Sequence, residues 1–284
     1  MKLVTYRNLW GTTGSRSAVF EQIAGAGYDG IESILWDDAH VQEVKLLLGR
    51  WNLDFRGVLW TRGTTVAEHL ASFEKQAIRV APLTPSGFTV IGGSDCWDDS
   101  DIGRYYEGAL KVEQRLGVPV AHEIHRNTCL FHPAAARRIL ARFPEIKLVC
   151  DFSHWVVSCE RMIHDQEDLI RQCGRQAVHI HSRVGNEQTP QLGDIRAPEA
   201  RPYLEAFEKW WEIVWEEQSA RGLAVTSICP EFGAPPYQQT LPYTGEPVAD
   251  LAAVCDWQAA RQRLHFGEWQ AARMASLIAQ EPAK

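Results

Sequence analysis

Four short segments of this sequence each close an apolar run on a side chain of a type that binds metal ions. They are VAHEIHRN with Glu123, LVCDFSHW with Asp151, VHIHSRVG with His181, and ICPEFG with Glu231. Taken singly, an acidic residue in such a place is more often a helix cap or a salt-bridge partner. Four in register on consecutive strands are a different matter, because carboxylates gathered away from water repel unless a cation or a proton holds them. An oxygen-rich set with one imidazole suits Mn2+ first, then Mg2+ or Co2+, with Zn2+ less favoured. Side chains alternate along a strand, so Glu123 and His125 face one side, as do His179 and His181. Asp151 and His154 lie three residues apart across a strand-to-loop turn and can reach a common centre.

Other side chains nearby have two readings. His125 and Arg126 fit either a substrate contact or a surface pair at the start of a loop. Trp10 and Trp60, at the ends of the first and third strands, are either platforms for a sugar or the rim of the core. Cys150 and Cys229 have no base near them in sequence and read as packing residues. His122 points to the face opposite Glu123.

The elements that must position these residues follow from an alternation. Short runs rich in β-branched residues are each followed by a segment of helical period. Strands are predicted at 2–6, 28–34, 53–60, 88–91, 118–123, 146–151, 177–181 and 224–231. Helices are predicted near Ser17 and over 41–48, 66–80, 104–116, 133–142, 166–172, 201–219 and 251–263. Thr64 or Thr65 can cap the third helix, with Glu68 nearby, and Pro133 suits the first position of the fifth. Eight such units fit a closed parallel barrel, a single (β/α)8 domain over residues 1–284, with its sites at the C-terminal strand ends. No G-x-G-x-x-G follows the first strand and there is no P-loop lysine, so a nucleotide-binding open sheet is not indicated. Two long polar segments, 185–198 and 232–247, lie on the predicted site face. Loops of that length usually select substrate, close over it or serve assembly.

Composition agrees. Of 284 residues, 45% are hydrophobic and 23% charged, enough for a sizeable core. The net charge of -7 argues against nucleic-acid or anionic-membrane partners. Seven cysteines, an odd and scattered set without a C-x-x-C pair, read as reduced thiols. Met1 to Trp10 lacks the pattern of a signal peptide, and no apolar stretch of about 18 residues could span a bilayer, so a cytoplasmic protein is expected.

At the four strand ends the chain resembles the xylose isomerase-like TIM-barrel superfamily, in particular its sugar phosphate isomerase/epimerase group. The resemblance runs through nearly the whole chain in element order, and its specific part is Glu123 through Glu231. It implies one divalent ion held by Glu123, Asp151, His181 and Glu231, with His179 as the alternative to His181. It also implies His154, of the D-x-x-H pair, as a substrate contact. Two departures stand out. Ketose 3-epimerases carry an arginine some residues beyond the histidine ligand, whereas Arg183 stands closer. The apurinic endonucleases build a three-zinc centre with extra histidines on early strands, whereas His40 and His69 fall in helical segments here. Neither long loop has a Gly-rich anion cradle, so the group name implies no phosphorylated substrate.

An ion so held has open positions for two adjacent oxygens of a hydroxy-ketone or hydroxy-aldehyde, and as a Lewis acid it stabilises an enediolate. Glu123 and Glu231 would flank the sugar, one removing a proton beside the carbonyl and the other returning it. His125, Arg126, His154, His179, Arg183, Trp10 and Trp60 would contact the substrate. The expected activity is a metal-dependent sugar isomerase or epimerase, with a homo-oligomer allowed. A metal-dependent lyase or deglycosidase of oxidised sugars or cyclitols would begin with the same proton removal. A non-catalytic sugar-binding barrel would keep only the fold.

Overall fold

The computed structural model describes residues 1–280. Eight strands form a closed barrel in chain order. They are β1 (Lys2–Asn8), β2 (Gly30–Ser33), β3 (Asp54–Trp60), β4 (Gly87–Ile91), β5 (Val120–Glu123), β6 (Leu148–Cys150), β7 (Ala177–His181) and β8 (Val225–Cys229). All neighbours run parallel, and β8 closes onto β1 with Lys2 opposite Val225. The described residues also form the helices α1 (Arg16–Gly25), α2 (Asp38–Trp51), α3 (Val66–Val80), α4 (Asp99–Leu116), α5 (Pro133–Arg142), α6 (Ser153–Cys159), α7 (Glu167–Gly174), α8 (Arg201–Ala220) and α9 (Leu251–Gln280). The architecture is the (β/α)8 barrel expected from the alternation.

Local sequence explains the helix starts. Thr65 accepts a hydrogen bond from the Glu68 N–H while the Glu68 side chain accepts one from the Thr65 N–H, a reciprocal cap that fixes the first turn of α3. Phe73, Ala77 and Val80 then recur at helical spacing and are buried against the barrel. Pro133 opens α5, and the His132 ring accepts from the Ala134 N–H. His122 faces outward as expected, its Nε2 lying 2.9 Å from Glu113 on α4.

Several elements depart from the sequence reading. Helix α6 was not expected, because seven residues are too few to show a helical period and its Val156–Val157 pair reads equally as strand. Helix α9 runs on to Gln280 instead of stopping at Arg263. Asp151 and Glu231 lie just past β6 and β8, on the loops that leave them.

The inside of the barrel carries a polar layer. Arg56 on β3 donates to Thr89 on β4 at 2.8 Å, and Thr89 donates to Glu32 on β2 at 2.6 Å. The two site-face loops are joined above the barrel: the Gln191 amide donates to the Gly233 carbonyl and accepts from its N–H. A Cβ at Gly233 would stand 2.1 Å from the Trp10 ring, so only glycine lets this loop lie flat on the indole. Among the described residues no helix is long and apolar enough to cross a membrane.

Candidate metal centre

Glu123 ends β5, Asp151 follows β6, His181 ends β7 and Glu231 follows β8, so adjacent strands deliver all four to one end of the barrel. One potential ligand atom from each lies within 4.8 Å of all the others. Glu123, Asp151 and His181 are buried to 1% exposure or less. Nδ1 of His181 stands 3.0 Å from Glu231 and 3.3 Å from Glu123, yet it is aligned for a hydrogen bond to neither. Both oxygens of Glu123 are buried without any hydrogen-bond partner. Buried polar atoms rarely go unpaired, and when they do an ion is a common explanation.

Arg183 is the other cation present. Its Nη2 donates to Asp151 at 2.7 Å and to Glu231 at 2.6 Å, and its Nε donates to Asp151 at 3.0 Å. With His181 neutral, as ligation requires, three carboxylates face one guanidinium, which leaves two negative charges for a divalent ion to balance. The residues therefore fit such an ion. Arg183, two residues beyond His181, thus has its guanidinium among the carboxylates.

Electrostatics follow the same geometry. Burial, reinforced by Glu231 and Asp151 and opposed by His181, pushes the Glu123 carboxyl up to about 7. Burial also works against ionised Glu231, but His181 and Arg183 outweigh it and hold that carboxyl below its usual range. Two like groups thus differ in proton affinity, as an acid and base pair requires. Burial, with Arg183 beside it, lowers His125 to about 3. The His125 ring packs on His154, their centroids 3.8 Å apart. His154 is itself buried, with Nε2 3.3 Å from Arg183 and 4.0 Å from Glu123.

Not every expected substrate contact reaches open space. A cleft of about 770 Å3 opens over the site, and Glu32, His125, Arg183, Glu231, Trp10, Trp60 and Tyr237 line it. His154 does not; it sits behind Arg183. The expectation for His179 needs correcting. Two residues earlier on β7 means a layer roughly 6–7 Å deeper, and there both ring nitrogens are engaged, Nδ1 with Ser227 at 2.7 Å and Nε2 with Glu32 at 3.0 Å. Arg126 stays at the rim, its guanidinium 4.9 Å from the Tyr237 ring centroid. Arg183 reaches the same ring from below, at 5.0 Å.

Sequence reading missed Glu32. It is 1% exposed and lies 3.3 Å from Nε2 of His181, on the side of the ring away from the cluster. An acidic residue so placed keeps the proton on Nε2 and leaves the Nδ1 lone pair free for an ion. The available signal was a carboxylate within the short β2 segment GIES, facing the same way as Gly30.

The barrel and its carboxylate–histidine cluster define a class: a (β/α)8 barrel with a candidate metal centre at the C-terminal strand ends. Solved structures with this fold include a 3-keto-D-glucoside 4-epimerase from E. coli, 16% identical, covering 93% of this chain and 100% of that one with a TM-score of 0.58. A xylose isomerase domain protein from Alicyclobacillus acidocaldarius is 14% identical, covering 95% and 100% with a TM-score of 0.60. Endonuclease IV from Thermus thermophilus is 13% identical, covering 93% and 99% with a TM-score of 0.57. At such identities the likeness is one of fold. No protein-family model and no curated protein matches this sequence.

Proposed function

We propose that this chain is a divalent-metal-dependent sugar isomerase or epimerase that moves a proton next to a carbonyl. The observation that carries this reading is the convergence of Glu123, Asp151, Glu231 and Nδ1 of His181, with both Glu123 oxygens left without donors. Those four residues would hold the ion, Mn2+ by the chemistry of the set, and when bound it would supply a Lewis acid for a substrate oxygen. Glu123, from the end of β5, and Glu231, from the loop after β8, reach the cluster from different elements. Glu231, held ionised by its two cationic neighbours, is the group suited to take a proton, and Glu123, with its raised proton affinity, is suited to give one. Arg183 and His125 at the floor of the cleft would orient hydroxyls, and Trp10, Trp60 and Tyr237 would keep water from the reacting carbon.

The E. coli neighbour's epimerase activity supports this reading. A second neighbour, a probable 3-DHS dehydratase from Bacillus anthracis that is 13% identical, keeps open a lyase or deglycosidase acting on oxidised sugars or cyclitols. Nuclease chemistry is not favoured: His69 lies on α3 bonded to Thr61 and Gly63, and His40 lies on α2 paired with Asp37.

The test is metal content followed by turnover. Purified protein should carry about one divalent ion per chain. Incubated with ketoses, aldoses and 3-keto-glycosides in deuterated water, it should place deuterium in the product without losing a leaving group. Glu231→Gln should lower turnover by at least roughly a hundredfold. A fully active variant would refute the scheme, and loss of a leaving group would favour the lyase.

A further inference from the structure

The cleft is larger than the reaction at its floor requires. At about 770 Å3 it stands high in the roughly 300–1,000 Å3 range of clefts that enclose drug-sized molecules. Besides His125, its walls include Trp60 and Trp36, His40 and Glu43 on α2, and Arg16 on α1. The rings along it are spaced in steps. Trp60 lies 5.8 Å from His125 between centroids, the Arg62 guanidinium stands 5.7 Å from the Trp60 centroid, and 5.0 Å separates that guanidinium from the Trp36 centroid. Trp36 is 49% exposed and adds little to the core. A large indole left half in water at the mouth of a cleft, steadied by a guanidinium instead of by packing, offers a flat apolar face to a ligand. His40 and the Arg16–Glu43 ion pair beside it supply donors and acceptors.

We infer that this outer stretch is a subsite for a second ring, so that the substrate is a glycoside. Its reacting sugar lies against the carboxylates, and its second sugar ring stacks on Trp36. The inference rests on the sugar reading above and adds to it. His125 and Trp60 are neighbouring rings at 5.8 Å, and Trp36 stands beyond Trp60 across the Arg62 guanidinium, so a ring held at His125 and Trp60 leaves the Trp36 face for a second one. A pyranose presents C–H bonds on its faces and hydroxyls at its edge, which matches an indole wall bordered by an imidazole, a carboxylate and a guanidinium.

Calorimetric titration of the manganese-loaded protein with glucose, maltose, cellobiose and sucrose tests this. At least one disaccharide should bind roughly tenfold more tightly than glucose. Trp36→Ala should remove most of that preference, and Trp36→Phe, which keeps a ring, should retain part of it. Circular dichroism of both variants checks that they fold. If the wild type binds glucose and the disaccharides equally, or if Trp36→Ala keeps the preference, the glycoside inference fails and the sugar reading stands. If the wild type binds none of these sugars, the sugar reading falls and the glycoside inference with it.

Discussion

Arg183 and a divalent ion in the proposed site would compete for the same oxygens. The guanidinium donates to Asp151 and Glu231, two of the four groups that converge, and stacks under Tyr237 from the loop after β8. A fixed positive charge beside two ligand oxygens weakens their hold on a second cation. Removing it with Arg183→Ala should therefore raise Mn2+ affinity, by about tenfold on the scale of one partly screened charge, while turnover falls through loss of a substrate contact. Titration with Mn2+ alone reads the first effect. A drop in affinity would mean that Arg183 holds the carboxylates in place for the ion. His181 adds a second coupling. Burial favours its neutral form, but Glu231, Glu123 and Glu32 outweigh burial and raise its proton affinity well above the ordinary value. Binding an ion there must release that proton, so affinity should climb with pH.

Between elements, the informative contact crosses the barrel interior from β2 to β7. Glu32 accepts from Thr89 and lies within 3.3 Å of the Nε2 atoms of both His179 and His181. Its carboxyl is held well below the usual range: burial opposes ionisation, but the two imidazoles prevail. A strand with no residue in the cluster thereby sets the orientation of the imidazole that has one. Glu32→Gln keeps the shape and loses the charge, and should weaken Mn2+ binding roughly ten- to a hundredfold. Unchanged affinity with a lowered melting temperature would show that Glu32 serves only the ion pair with Arg56, 3.6 Å away.

For the molecule as a whole, the buried ionisable groups set how stability of the metal-free protein varies with pH. The Glu123 carboxyl is raised to about 7 by burial and its acidic neighbours, above its unfolded value of 4.5. Its contribution is thus complete below 4.5 and is lost as pH rises through about 7. His125 and His179 are lowered, chiefly by burial, to about 3 and about 4 from 6.5. Their contributions are present above 6.5 and are lost as pH falls towards those values. Opposed limbs predict a stability maximum at mildly acidic to neutral pH with chelator present. Glu123→Gln should flatten the alkaline limb, making the chelated variant more stable than wild type at pH 8, with the gain disappearing below pH 4.5. Urea unfolding at pH 4, 6 and 8 measures this, and a variant that tracks the wild type at every pH would contradict it.

The alternation of β-branched runs with helical periods determined the eight strands and their order, and Thr64 or Thr65 with Glu68 nearby marked the start of α3, where the structure selects Thr65. Both are written in neighbouring residues, where backbone preference and side-chain period act. The four strand-ending groups were readable for the same reason: in a closed parallel barrel, position along a strand already says which end of the molecule a residue occupies. Three features were decided only by tertiary structure. Glu32 meets His181 across 149 residues of sequence, Arg183 folds back among the carboxylates, and Arg62 joins Trp36 to Trp60. Each depends on barrel curvature and on which side chains alternate inward at a given layer. No local period encodes that distance across the ring.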